Sequence, residues 1–165
     1  MSQSTEKKGG GDGKNAASIR LLIADDQPRV RQSLEALLTA LRWSTPNPIQ
    51  IPIEIVGKAG DGQTAVAQVR ALQPDVVVLG LPTHNAAGQL FISGAKLDGL
   101  AAIRTIKRQW PDVRIVVLTM YATDRAAVLL AGADAFLLKG GPTSELLAAV
   151  MAAPAKSFLD AEKRG

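Results

Sequence analysis

The chain predicts a doubly wound α/β fold, a five-stranded parallel sheet held between two layers of helices as a three-layer sandwich. Three observations carry that expectation. Five short apolar runs of strand length alternate with five stretches of helical character at close spacing. The third run, residues 75–79 (Asp-Val-Val-Val-Leu), is almost wholly apolar, as a strand covered by helices on both faces must be. Turn residues, mostly proline, glycine and aspartate, separate the segments.

Each element follows from its local chemistry. Residues 1–18 show no apolar periodicity and hold four glycines, so they read as a flexible tail. Residues 19–24 form the first strand, which stops at Asp25-Asp26-Gln27. Pro28 suits a first helical turn, where its missing N–H has no partner to lose. Val30, Leu34, Leu37, Leu38 and Leu41 then lie on one stripe of a helix. Pro46 and Pro48 break the chain, and residues 51–56 read as the second strand. A helix from Asp61-Gly62 to Leu72 turns Ala65, Val66 and Val69 inward, and Pro74 follows it. Beyond the third strand, residues 81–97 lack a period and read as a long loop. Leu100, Ile103, Ile106 and Trp110 mark the third helix, which ends at Pro111. A strand over 113–118, a short helix over about 124–130, a strand over 135–138 and a helix over about 143–152 complete the series.

Composition narrows the chemistry. The 165 residues are 47% hydrophobic but only 4% aromatic, so the core is aliphatic. With no cysteine and a single histidine, His84, there is no disulfide scaffold, thiolate zinc site or His-pair metal motif. No Gly-rich phosphate loop follows a strand, since Gly9 to Gly13 lie in the tail, and no catalytic set can be assembled, so an enzyme is not expected. No apolar run approaches the ~20 residues of a membrane span, and a soluble, cytoplasmic protein without membrane contact is expected. The net charge of +4 is scattered rather than gathered on one element, which gives little support to direct nucleic-acid binding.

In doubly wound sheets, chemistry gathers at the carboxyl ends of the strands. There this sequence places Asp25 and Asp26, Gly80, Thr119 and Lys139. Two carboxylates suit a hard cation, and a threonine and a lysine can hold phosphoryl oxygens. In that order at those strand ends, the set resembles the receiver domain of bacterial two-component response regulators. The likeness covers about 19–153 and includes Ile-Arg-Leu-Leu-Ile-Ala-Asp25-Asp26, Pro-Asp-Val-Val-Val-Leu79, Leu97-Asp98-Gly99, Val-Leu-Thr119-Met-Tyr and Ala-Gly-Ala-Asp-Ala-Phe136-Leu-Leu-Lys139. Several of these are similar to the subfamily whose receivers precede a LuxR-type helix-turn-helix. The resemblance implies a flavodoxin-like, receiver-like sandwich, an acidic pocket at Asp25 and Asp26, switch-like positions at Thr119 and Phe136, and a pocket lysine at Lys139.

The departures are as informative. Where the family carries its phosphoacceptor aspartate, this chain has Gly80, which offers neither nucleophile nor metal ligand. Asp25 and Asp26 remain as the only candidates for Mg²⁺ ligation, and no cofactor is expected. The 82–97 loop, with His84, Asn85 and Phe91, is longer than the family's and reads either as a covering or partner-binding segment over the pocket or as a tolerated insertion. The fourth helix is about one turn short. Residues 154–165 resemble a linker remnant, so DNA contact is expected only through a domain absent from these residues.

These features point to a pseudo-receiver, a domain that works without phosphorylation as a protein-interaction or dimerisation module in signal transduction or transcriptional control. Its partner, or a second copy, would use the fourth helix, fifth strand and fifth helix, or the first and fifth helices. With Gly80 neutral, Lys139 is free to pair with Asp25 or Asp26. Two alternatives stand beside it: a ligand or ion sensor using an emptied acidic pocket under the 82–97 loop, and phosphorylation at another acceptor such as Asp26 or Asp98.

Overall fold

The computed structural model describes residues 18–44, 52–81, 99–122 and 125–152. Its centre is β3 (Val76–Gly80), whose five residues are all buried. The strand pairs in parallel with β1 (Ile19–Ala24) on one side and β4 (Arg114–Thr119) on the other. Outside these lie β2 (Ile53–Ala59) and β5 (Ala135–Leu138), giving the order β2-β1-β3-β4-β5. The doubly wound arrangement expected from the alternation is therefore the observed one. Strand order reverses between β1 and β3, and a crevice opens beyond the carboxyl ends of strands at such a point.

Side chains alternate across the sheet and divide the core in two. Val77 and Leu79 of β3 point to a layer made by α2 (Gly62–Leu72), α3 (Gly99–Gln109) and α4 (Arg125–Ala131). Val76 and Val78 point to the opposite layer, made by α1 (Pro28–Ser44) and α5 (Thr143–Met151). The stripe read from the sequence supplies Leu34 and Leu38 to that second layer, and Ile103 and Ile106 of α3 are fully buried in the first. Asp61 caps α2, its Oδ1 accepting from the Thr64 N–H at 2.7 Å.

Two strands differ from the sequence expectation. β2 runs from 53 to 59 rather than 51 to 56 because it is an edge strand, where Glu54 and Lys58 can face water and the apolar run misjudges the ends. Its register against β1 slips between Leu21 and Leu22, so Val56 is an extra residue on the β2 side. Gly57 follows at once, and a Cβ there would stand 2.5 Å from Gln68 Oε1 and 2.8 Å from Leu72 Cδ1 of α2. β3 begins and ends one residue later than expected, which makes Gly80 its last residue. The tail up to residue 17, the 82–97 loop and residues 153–165 lie outside the described residues, and with them His84, Asn85, Phe91 and Asp98. Among the described residues, no helix is long and apolar enough to cross a membrane.

Candidate functional site

The sheet register brings the strand-end residues together. Ala24 pairs with Leu79, so the next step along β1 and β3 sets Asp25 beside Gly80. Thr119 pairs with Leu138, so Lys139 follows one step further along the edge. The residue is held there by its own N–H, which donates to the Thr119 carbonyl at 2.8 Å.

Asp25 is the best-anchored of these residues. It is 2% exposed, and its N–H, carbonyl and Oδ1 are hydrogen-bonded. Its N–H donates to the Ala59 carbonyl at 3.0 Å, and its carbonyl accepts from Arg31 Nη1 at 2.7 Å. Oδ1 accepts from the Gln27 N–H at 2.9 Å, an Asx turn that leads the chain from β1 into α1. Oδ2 lies 2.9 Å from Lys139 Nζ, an ionic contact without the alignment of a hydrogen bond. Lys139 is itself largely buried, with Nζ also 3.5 Å from the Leu81 carbonyl. A buried charge needs such a partner, since removing one member of a buried pair costs about 3–5 kcal/mol. Of the two aspartates that Lys139 could have met, the structure selects Asp25.

Gly80 leaves the room in which Asp25 makes this pair. A Cβ at position 80 would sit 1.8 Å from Asp25 Oδ2 and 2.7 Å from its carboxyl carbon. Carboxylate and side chain cannot share that volume. The space that a glycine was expected to vacate is therefore filled by the Asp25 carboxylate.

Asp26 is exposed overall, but its carboxyl lies against Asp25. Burial on that side, the Asp25 charge and a hydrogen bond shared with Asp25 raise its pKa above the usual aspartate range, against the opposing pull of Lys139. The Mg²⁺ implied by the family does not fit this arrangement. Both Asp25 oxygens are committed within the protein, which leaves Asp26 as the other carboxylate of the cluster among the described residues. Among the described residues no group of three or more His, Cys, Asp or Glu could hold a metal ion.

Thr119 is buried at the end of β4, its Oγ1 accepting from the Tyr121 N–H at 3.2 Å. Phe136 is half-buried against the α2–α3–α4 side of the core, with the Arg125 guanidinium 5.8 Å from its ring centre. Phe136 thus fastens α4 to β5. The structure brings Asp25, Asp26, Gly80 and Lys139 into one cluster and leaves Phe136 outside it. Arg31, which donates to the Asp25 carbonyl, is not among the residues that the sequence singles out. Its distance of six positions from Asp25 carries no helical or strand-pairing signal.

The chain belongs to the response regulator receiver domain family, whose model matches residues 21–151. Receivers are domains of two-component signalling. Among curated proteins it is 34% identical over 137 residues to the transcriptional regulatory protein LiaR of Bacillus subtilis, a match covering 82% of this chain and 56% of LiaR. It is 27% identical over 135 residues to the response regulator VraR of Staphylococcus aureus, covering 81% of this chain and 55% of VraR. The chain thus spans little more than half the length of these relatives. Among solved structures it resembles the isolated REC domain of RcsB from Salmonella enterica serovar Typhimurium, with a TM-score of 0.61 and 26% identity over 82% of this chain and 87% of that one. It is also similar to the response regulator domain of Thermotoga maritima CheB, with a TM-score of 0.60 and 25% identity over 82% and 96%.

Two measurements test the site. Gly80→Ala is expected to lower stability by about 1–3 kcal/mol in urea unfolding, the usual range for overpacking a filled volume. Because the new methyl already evicts the carboxylate, adding Asp25→Ala must then cost less than it does alone; strictly additive losses would refute the steric link. Asp26→Asn is expected to raise the melting temperature at pH 7. The sign follows from linkage: a carboxyl with a raised native pKa penalises folding once ionised, and that penalty disappears as pH falls through the native value. The gain should therefore vanish below the ordinary aspartate range near pH 4.

Proposed function

We propose that this receiver works without aspartyl phosphorylation, as a protein-interaction or dimerisation module in signal transduction or transcriptional control. The observation that carries the reading is the interlock of Gly80, Asp25 and Lys139. Phosphoryl transfer needs a carboxylate free to attack phosphorus in line with the leaving group. At position 80 there is none. The nearest carboxylate, Asp25, is buried and paired with the lysine that would otherwise meet an incoming anion. A transcriptional role is supported by the name of LiaR, and DNA contact is assigned to a region outside residues 19–153.

The partner surface is best supported on α4 and β5. The exposed large hydrophobic side chains among the described residues, Met120, Tyr121, Leu129, Leu130 and Leu138, all lie just after β4, in α4 or in β5. Leu130 is 90% exposed, an unusual position for leucine on a seven-residue helix. Leu129 and Leu130 support the α4–β5–α5 face, while Met120 and Leu138 also border the groove between α1 and α5.

Incubation with acetyl phosphate and Mg²⁺ followed by intact-mass analysis is expected to show no stoichiometric phospho-adduct. An adduct on Asp26 or Asp98 would overturn the phosphorylation-independent reading. Leu130→Glu is expected to leave the melting temperature within about 2 °C, as a surface change does, while abolishing self-association or partner capture in light scattering. Unchanged association would move the interface elsewhere.

A further inference from the structure

We draw no further inference here: the strongest candidate, the apolar groove between α1 and α5 with Leu118 and Leu137 among its lining residues, carries nothing because nothing in the structure shows what covers it.

Discussion

The ion pair between Asp25 and Lys139 is the contact on which the carboxyl edge of this sheet depends. It joins the end of the first strand to the end of the last, across β3 and β4. In the low dielectric of a buried site an unpaired carboxylate is far more costly than an unpaired amide, so the two residues hold one another in place. The rest of the edge follows from that requirement. Gln27 and Arg31 satisfy the remaining Asp25 groups, and this sets the entry into α1. On the far side, the Lys139 N–H bond to Thr119 fixes where β5 stops and the Gly140 turn begins. Opening either end alone exposes a buried charge, so the edge behaves as one cooperative unit.

Charge and shape are distributed differently over the two faces of the sandwich. The layer of α2, α3 and α4 is closed, packed and tied down by a second partly buried ion pair, Lys107 with Asp134, whose carboxylate also accepts from the Ile115 N–H. Its outer surface nevertheless leaves apolar side chains in water on α4. The α1 and α5 layer is less complete, because two helices must cover a face that three cover on the other side. Among the described residues, a short α4 held by the Arg125–Phe136 contact and the groove lined by α1 and α5 are thus two places where the packing is unsaturated.

Much of this was legible before any coordinates. Periodicity located all ten elements because the strands here are apolar on both faces and the helices on one. It failed by two or three residues at β2, where an edge strand mixes Glu54 and Lys58 with isoleucines. The strand-end residues were legible as well, since they sit one step past each apolar run. What could not be read was their pairing. Sequence spacing placed Lys139 within reach of two aspartates but carried no information on side-chain direction, so neither the choice of Asp25 nor its occupation of the space beside Gly80 was visible. Arg31 and the groove were hidden for a related reason. Both are assembled from side chains of several elements, and no single segment carries their signal.

The steric exclusion at position 80 also shapes the paths by which this sequence can change. An aspartate introduced there would add its own Cβ where Asp25 Oδ2 now stands, so it would meet a second buried carboxylate and dislodge the lysine that neutralises it. The substitution would therefore succeed only together with a new position for Asp25. Positions 25 and 80 are thereby coupled: a side chain at the end of β3 requires the Asp25 carboxylate to move.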